Sequence, residues 1–327
     1  MPLDEFDLID RFFRHCGPES CNVVLGIGDD GAILQAGHTG GNTEELVVAT
    51  DTLVAGTHFP EHGDPAEIAQ RALRVNLSDL AAMGAQPTAF LLALTLPEAD
   101  EQWLSGFAQG LSQAAQTFTC PLIGGDTTKG PLCISITTLG SVPRGQALTR
   151  SGARPGDIVY ITGITGEARA ALDILQGKSR AETNTENHLL ARYWRPEPRI
   201  AAGTHLRGLA SAAIDVSDGL LADLQHIADN SGVGAIIEAG KLPLSKPVQT
   251  LTSHQWALQW ALTGGDDYEL CFTAAPGLSS RIDACMQSIG LPATAIGAIT
   301  HGQGIVCIAE NGDAMALETP GYRHFGV

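Results

Sequence analysis

The segment DPAEIAQRALRVNLSDLAAMG, residues 64–84, carries the clearest helix signals in the chain. Asp64 stands directly before Pro65 and three positions before Glu67, which predicts an N-cap, a proline in the first turn and a capping box. The final glycine of the segment is the expected stop, so a helix is predicted over residues 65–83. Apolar residues surround its second half on nearly every side, which is typical of a helix buried inside a domain.

Apolar runs of strand length lie on both sides of this helix, and a second helical pattern extends from Glu98 to about Phe118. The N-terminal part is therefore an α/β or α+β lobe, and with a second lobe behind it the fold class predicted for the chain is α+β with two domains. The runs are CNVVLGIG (21–28), ELVVATD (45–51), TAFLLALTLP (88–97) and PLCISITTLGSV (131–142).

The length of 327 residues favours two domains, since one hydrophobic core rarely organises so long a chain. The composition, 44% hydrophobic and 17% charged, allows two cores to be buried. RSGARPGDIVYITG (150–163) is a Gly/Pro loop followed by an apolar run, and it sets the predicted boundary. We expect an N-terminal domain over residues 1–149 and a C-terminal α/β domain over residues 150–327.

The charge balance is strongly acidic, with 19 Lys+Arg against 36 Asp+Glu and a formal net charge of −17. Such a field repels a phosphate backbone, so no nucleic-acid partner is expected. No run approaches the roughly 20 apolar residues of a membrane span, and the opening MPLDEFDLIDRFF lacks the pattern of a signal peptide. The seven cysteines are scattered without a C-x-x-C pair. We therefore expect a cytoplasmic protein with reduced thiols and no membrane partner.

Aspartates recur in the turns that follow apolar runs. Each one alone is explained by the preference of Asp for turns and N-caps. The recurrence favours a second interpretation, because strand ends of a mixed sheet meet at one edge and carboxylates gathered there repel one another unless cations lie between them. Oxygen ligands without His or Cys indicate Mg²⁺ or Mn²⁺ and not zinc. The motifs are GIGDDGA with Asp29 and Asp30, VVATDT with Asp51, IGGDTTKG with Asp126, AIDVSDG with Asp215 and Asp218, and TGGDDYE with Asp266 and Asp267.

Three further residues have both a functional and a simple structural interpretation. Asp79 lies in the apolar part of the predicted helix, so its carboxylate is either metal-bound or paired with Arg74 or Asn76. Arg150, in LTRSGA, either holds a phosphate or is a surface charge. His58, in LVAGTHF, is either a substrate contact or a partly buried, hydrogen-bonded histidine.

A rival interpretation starts from Gly26, Gly28 and Gly31, which spell the G-x-G-x-x-G of a dinucleotide-binding fingerprint after a strand, with Asp51 closing the next strand. The glycines of the following AILQAGHTGG leave no room for a crossover helix, and two aspartates stand where a pyrophosphate needs bare amides. No G-x-x-x-x-G-K-[ST] occurs, which excludes a P-loop kinase at the motif level.

Eight segments, taken in order, resemble the thiamine-monophosphate kinase family across essentially the whole chain. The acidic motifs and the DLAAMGA helix are also similar to a wider superfamily that includes aminoimidazole ribonucleotide synthetase and selenophosphate synthetase, so they imply an ATP-using fold. TDTLVAGTHF and GGDDYELCF resemble the thiamine-monophosphate branch in particular. The segments are GIGDDGAIL, ATDTLVAGTHF, VNLSDLAAMGA, IGGDTTKGPL, ALTRSGA, GDIVYITG, IDVSDGLLADL and GGDDYELCF.

The resemblance implies an N-terminal domain that forms a homodimer by joining its sheet to that of a second subunit, with ATP bound between the N- and C-terminal domains. It also implies several Mg²⁺ ions per site and three groups of residues. The implied metal ligands are Asp30, Thr50, Asp51, Asp79, Asp126, Asp215 and Asp218. The implied ATP contacts are Gly125, Asp126, Arg150 and Ser217, and the implied thiamine monophosphate contacts are His58, Asp266 and Tyr322. The family frequently has Glu where this chain has Asp266.

The implied reaction moves the γ-phosphoryl group of ATP onto the phosphate of thiamine monophosphate, giving thiamine diphosphate and ADP. The accepting phosphate is already anionic at neutral pH, so no general base is expected. Positioning and charge neutralisation by Mg²⁺ then serve an in-line displacement. A rival from another class is a metal- or nucleotide-binding regulator on the same fold that transfers nothing.

Overall fold

The computed structural model describes residues 22–35, 44–309, 311–315 and 321–322, together with residue 9. In these ranges the chain forms two six-stranded sheets, each packed on its own hydrophobic core. Strands and helices are mixed in both halves, which confirms the predicted α+β class. The domain bounds 1–149 and 150–327 stay a prediction.

The N-terminal sheet has the strand order β1-β2-β3-β6-β4-β5, in which β4 and β5 are parallel and all other neighbours are antiparallel. Helices α1 and α2 pack against each other over the sheet and close its core. The elements are β1 (Val23–Leu25), β2 (Ala32–Leu34), β3 (Glu44–Val54), α1 (Pro65–Ala82), β4 (Gln86–Leu96), α2 (Glu101–Thr117), β5 (Leu122–Lys129) and β6 (Cys133–Pro143).

The C-terminal sheet has the order β12-β9-β11-β7-β10-β8, with only the β12 and β9 pair parallel. Helices α6 and α8 pack on one core cluster, and α5 and α9 pack on another. The elements are β7 (Ile158–Thr162), α3 (Glu167–Leu175), α4 (Thr183–Trp194), α5 (Ile200–Leu206), β8 (Ala212–Asp215), α6 (Leu220–Ser231), β9 (Gly234–Glu238), α7 (Lys246–Leu251), α8 (His254–Thr263), β10 (Leu270–Ala274), α9 (Ser279–Ser288), β11 (Ala293–Thr300) and β12 (Gly304–Ile308).

Helix α1 begins where the capping signals predict. The Asp64 carboxylate accepts hydrogen bonds from the backbone N–H groups of Ala66 and Glu67, at 2.9 and 3.1 Å. The Glu67 carboxylate, expected to complete a capping box, is bound by Arg195 instead. Tertiary packing has therefore given this side chain a partner that lies 128 positions away.

Helix α1 also joins the two halves of the molecule. Ala81 and Ala82, in its last turn, pack in the same cluster as Tyr160 and Phe272 of the C-terminal sheet. Gly203 of α5 allows this approach, since a Cβ there would lie 2.0 Å from the carbonyl oxygen of Ala81. Fourteen of the 18 residues of α1 are buried, so its polar side chains must find partners inside the protein.

Two of the acids expected in turns lie inside strands. Asp51 pairs with Ile136 in β6, and Asp126 pairs with Ala93 in β4. The expectation was wrong because Thr52 and Leu53 continue the strand beyond Asp51, and two threonines continue the strand beyond Asp126. In both cases the neighbouring strand is long enough to pair with them.

None of the helices in the described ranges is both long and apolar enough to cross a bilayer. Five cysteines in these ranges are free thiols, as expected, whereas Cys16 and Cys21 lie outside the described residues.

Candidate active site

A cleft of about 480 Å³ lies where α1, β3, β8 and the loop before β10 meet. It gathers most of the residues proposed from sequence, although they are spread from position 30 to position 322. The predicted residues that line it are Asp30, Asp51, His58, Asp79, Arg150, Asp215, Ser217, Asp218, Asp266 and Tyr322.

Three carboxylates from different elements meet in this cleft. Asp30 lies in the turn between β1 and β2, Asp79 lies in α1, and Asp215 ends β8. One oxygen of each carboxylate lies within 4.8 Å of the other two. Burial, and next the negative charge of Asp51, raises the pKa of Asp79 well above its usual range. We call Asp30, Asp79 and Asp215 the carboxylate triad.

Burial and like charge disfavour the ionised form of the carboxylates in and beside the triad. Burial, followed by the charge of Asp30, raises the pKa of Asp215 to about 8. The same two causes raise the pKa of Asp29, next to the triad, to about 7. Desolvation and mutual repulsion thus favour protons, or another cation, between these oxygens at neutral pH.

Arg150 is the one cation that the described residues place against the triad by an ion pair. Its Nε donates to Oδ1 of Asp30 at 3.0 Å, and its Nη2 donates to the same oxygen. Its backbone N–H donates to the Asp29 carboxylate at 3.0 Å. Oδ2 of Asp30 is buried and receives no hydrogen bond from any described residue, so it is left for a cation.

Two side chains of α1 that the sequence argument left without a functional role also hold the acidic residues. The backbone N–H of Asp51 donates to Oδ1 of Asn76 at 2.9 Å. The Ser78 hydroxyl donates to Oδ2 of Asp215 at 2.6 Å. The sequence indicates Asn76 only as a partner for Asp79. In the sequence, polar residues on a helix predicted to be buried could have indicated that these two side chains have such partners.

Asp223 is a further residue that sequence reasoning missed. Its Oδ2 accepts hydrogen bonds from the backbone N–H groups of Ser217, Asp218 and Gly219, at 3.0 to 3.1 Å. The carboxylate is buried inside the first turn of α6 and fixes the loop that carries two predicted site residues. In the sequence, an acid in the first helical turn after a glycine could have indicated that Asp223 binds backbone N–H groups there.

The acids of the TGGDDYE motif are divided between the site and the framework. Asp266 lines the cleft, with a left-handed φ of 70°. Asp267 is buried and accepts a hydrogen bond of 2.7 Å from the backbone N–H of Gly166, at the start of α3. Glu269 is fully buried and ion-paired with Arg192 and Arg199. Only the first of the three acids can therefore meet a ligand in the cleft.

His58 and Tyr322 border the same cleft. The backbone N–H of Val54 donates to Nδ1 of His58 at 2.9 Å, so the ring proton of the neutral histidine lies on Nε2. The backbone N–H of Tyr322 donates to the Asp218 carbonyl oxygen at 2.9 Å, and this bond seats the residue beside the acidic loop. The Tyr322 side chain stays 47% exposed, so the ring is accessible to a ligand.

Comparison with known proteins matches both halves of the chain. Residues 28–142 match the N-terminal domain and residues 154–310 match the C-terminal domain of AIR synthase related proteins. The thiamine-monophosphate kinase of Escherichia coli strain K12 is 45% identical over 326 residues, which is 99% of either chain. The chain belongs to the thiamine-monophosphate kinase family.

Solved structures of the family have the same fold. The thiamine-monophosphate kinase from Stenotrophomonas maltophilia K279a is 45% identical, with a TM-score of 0.79 over 96% of this chain and 99% of that one. AaThiL, solved in complex with AMPPCP and TMP, is 32% identical, with a TM-score of 0.84 over 99% of this chain and 97% of that one. The resemblance seen in the sequence is thereby confirmed.

Three of the residues that the family resemblance implies lie away from the cleft. Thr50, on β3, donates its hydroxyl to the Ile136 carbonyl oxygen at 3.0 Å. Gly125 and Asp126 lie on β5, at the edge of the sheet and three strands from Asp51. Three strand spacings amount to about 14 Å. One copy of the chain therefore does not bring Asp126 to the triad.

The dinucleotide-binding alternative is wrong. The segment after Gly31 is the short strand β2, which pairs with β3, where that fingerprint requires a helix. The turn between β1 and β2 instead carries Asp29 and Asp30 to Arg150.

The raised pKa of Asp215 predicts how pH affects the stability of the metal-free protein. Asp215 titrates near 3.8 when unfolded and near 8 when folded, so between these values the folded state binds the extra proton and the free energy of unfolding falls as pH rises. Asp215→Asn removes this component. In a chelating buffer, the difference in melting temperature, variant minus wild type, should therefore increase from pH 5 to pH 8.5. A difference that stays constant over this range would contradict the assignment.

Proposed function

We propose that the protein transfers the γ-phosphoryl group of ATP to thiamine monophosphate, producing thiamine diphosphate and ADP in thiamine diphosphate biosynthesis. The observation that carries the proposal is the single cleft that sets the carboxylate triad beside His58, Asp266 and Tyr322. The relative with the same fold that is solved with AMPPCP and TMP supports these two ligands.

Magnesium fits the residues present. The triad offers three closely spaced hard oxygens. Oδ2 of Asp30, which has no hydrogen-bond partner among the described residues, adds an acceptor whose burial is costly without a cation. We propose that Asp30, Asp79 and Asp215 hold Mg²⁺, with Asp51 and Asp218 beside them. When bound, Mg²⁺ neutralises charge on the phosphate oxygens during transfer.

The chain's own residues then bind and orient the two substrates. Ser217, in the loop fixed by Asp223, and Arg150 are proposed to contact the phosphates of ATP. The attacking oxygen belongs to a phosphate that is already anionic, so no side chain needs to remove a proton. Catalysis is thus assigned to alignment and charge neutralisation, with no general base.

Incubation of the protein with Mg²⁺, ATP and thiamine monophosphate, followed by chromatography, tests the proposal. Thiamine diphosphate and ADP should form in equal amounts. Binding of ATP without thiamine diphosphate would identify a nucleotide-binding regulator on the same fold and overturn the proposed activity. We place this activity in the cytoplasm, in keeping with the free thiols of the described cysteines.

We also propose that the protein is a homodimer formed through the N-terminal sheet. Every residue of the edge strand β5 is exposed, including Leu122 at 47% and Ile123 at 59%, and Leu91 on the neighbouring strand is 37% exposed. An edge with unpaired backbone groups and an apolar patch is an attachment surface for another strand. The part of β3 beyond its pairing with β2 is a second open edge, and β5 of another copy of the chain can pair with it.

The same dimer would explain why Asp126 lies far from Asp51 in its own chain. Thr50 and Asp51 are exposed on the part of β3 beyond its pairing with β2, and Asp126 is exposed on β5. We propose that the second copy brings Asp126 and Gly125 to the site of the first copy, near Asp51, so that each site uses residues from two chains.

Mixed dimers test this arrangement. One chain carries Asp51→Asn, the other carries Asp126→Asn, and two affinity tags isolate the heterodimer after co-expression. If Asp126 serves the partner's site, one of the two sites is intact and the heterodimer should have about half the wild-type activity. Each homodimeric variant serves as a control with low activity. An inactive heterodimer would place Asp126 in its own chain's site and contradict the proposal.

The Asp79→Asn variant tests the proposed metal role. It keeps the side-chain shape and removes one negative oxygen, so kcat/KM should fall by about 100-fold and half-maximal activity should need more Mg²⁺. Without metal the melting temperature should not fall, since repulsion in the cleft decreases.

Asp267→Asn is the matched control, because this buried aspartate caps α3. It should lower the melting temperature and leave the Mg²⁺ requirement unchanged. If Asp79→Asn behaved like this control, Asp79 would be a structural residue.

The Tyr322→Ala variant tests the thiamine end of the site. An accessible ring can stack on the pyrimidine or face the cationic thiazolium, which is worth about 0.5 to 2 kcal/mol. The KM for thiamine monophosphate should therefore rise several-fold while the KM for ATP stays the same. An equal rise in both constants would show that Tyr322 does not read the thiamine moiety.

A further inference from the structure

Arg71 is a buried cation of α1 that the proposed chemistry does not use. It is 2% exposed, and its guanidinium binds three different segments of the chain. Nη2 forms an ion pair with Oδ1 of Asp266, Nη1 donates to the carbonyl oxygen of Tyr193 at 2.8 Å, and Nε donates to that of His58 at 3.4 Å. Two of these three segments carry residues proposed to contact thiamine monophosphate.

The same contacts hold the Asp266 carboxylate in one orientation. The Tyr268 hydroxyl donates to Oδ1 of Asp266 at 3.1 Å, and Arg71 donates to the same oxygen. Among the described residues, no donor reaches Oδ2. The side chain is 31% exposed in the cleft, so Oδ2 is the acceptor left for a ligand.

The guanidinium is itself fixed by aromatic rings. Its Cζ lies 4.1 Å from the centroid of the Tyr193 ring and 5.9 Å from that of Tyr268. The Tyr193 hydroxyl donates to the same His58 carbonyl oxygen at 3.1 Å. Burying an arginine is costly unless its donors are matched, and here the matching groups converge on one wall of the cleft.

We propose that Arg71 is the positioning residue for the thiamine end of the site. It holds Asp266 and the His58 segment at a fixed separation and presents Oδ2 of Asp266 to a hydrogen-bond donor of the substrate. The exocyclic amine of an aminopyrimidine is such a donor. This inference rests on the proposed function, because it assigns the ligand of that same cleft.

Arg74, one turn further along α1, provides a matched control. It is also buried, at 9% exposure, and forms an ion pair of 2.9 Å with Glu197 and a hydrogen bond of 3.1 Å with the Pro196 carbonyl oxygen. Its guanidinium lies over Phe118, at 5.0 Å from the ring centroid. None of these partners lines the cleft. Arg74 thus shares the burial and pairing of Arg71 without contact to a proposed substrate residue.

The experiment compares Arg71→Met, Arg71→Lys and Arg74→Met in the full-length protein. Steady-state kinetics give kcat and the two KM values, calorimetry gives the affinity for thiamine monophosphate in the absence of ATP, and thermal melting reports stability. Arg71→Met should weaken thiamine monophosphate binding by about tenfold or more, the usual range for a lost hydrogen bond to a charged group. The KM for ATP should not change. Arg71→Lys should have a smaller effect, and Arg74→Met should lower only the melting temperature.

Tyr268→Phe keeps the buried ring and removes one donor to Asp266, so it decides the matter if Arg71→Met does not fold. It should raise the KM for thiamine monophosphate several-fold with the KM for ATP unchanged. Unchanged affinity for thiamine monophosphate in a folded Arg71→Met protein, or equal effects of Arg71→Met and Arg74→Met, would overturn the inference. Failure of the wild-type protein to form thiamine diphosphate would instead overturn the proposed function.

Discussion

The structure depends on one helix that is buried by both domains. Because α1 packs on the N-terminal sheet and reaches the C-terminal core through Ala81 and Ala82, water cannot satisfy its buried polar side chains. Each must be matched by another part of the protein. Asn76 binds the backbone of β3 and Ser78 binds the end of β8. The cost of burying polar groups thus fixes the relative placement of the elements that form the cleft.

The cleft gathers like-charged carboxylates, which is electrostatically unfavourable. The carboxylate triad has only Arg150 as an ion-pair partner among the described residues, and that arginine binds a single oxygen of Asp30. Burial and repulsion raise the pKa of Asp215 and Asp79, which is the physical reason that the site favours a hard cation. Under the proposed function, a bound cation relieves this repulsion, so the repulsion contributes to the affinity for the cation. Asp79 lies on the buried α1, and the Ser78 hydroxyl of the same helix binds Asp215, so these two carboxylates are held close together.

Two kinds of acidic residue therefore coexist near the cleft. Asp267 and Asp223 accept hydrogen bonds from backbone amides, and Glu269 is ion-paired with two arginines. These three acids hold the loops in place. Asp30 and Asp266 each have one oxygen bound by protein donors and the other without a donor among the described residues. In these two residues one oxygen therefore serves the framework, and the other is open to the ligands of the proposed function.

The sequence by itself determined the features that depend on near neighbours. Asp64 predicted the start of α1 because an N-cap bonds to amides two and three positions ahead. The ordered motifs predicted the family, and most of the site residues that they implied line the cleft. Only the tertiary structure decided that Asp51 and Asp126 lie within strands, that Asp126 is three strands from Asp51, and that Glu67 binds Arg195.

No sequence pattern predicts the positioning role proposed for Arg71. It lies 195 positions from Asp266, and their ion pair exists because α1 and the loop before β10 pack on the same cleft. The sequence shows an arginine in an apolar helix, which predicts that a partner must exist, because an unpaired buried charge is costly. Which partner it finds is set by the distances between elements, and no local pattern encodes these distances.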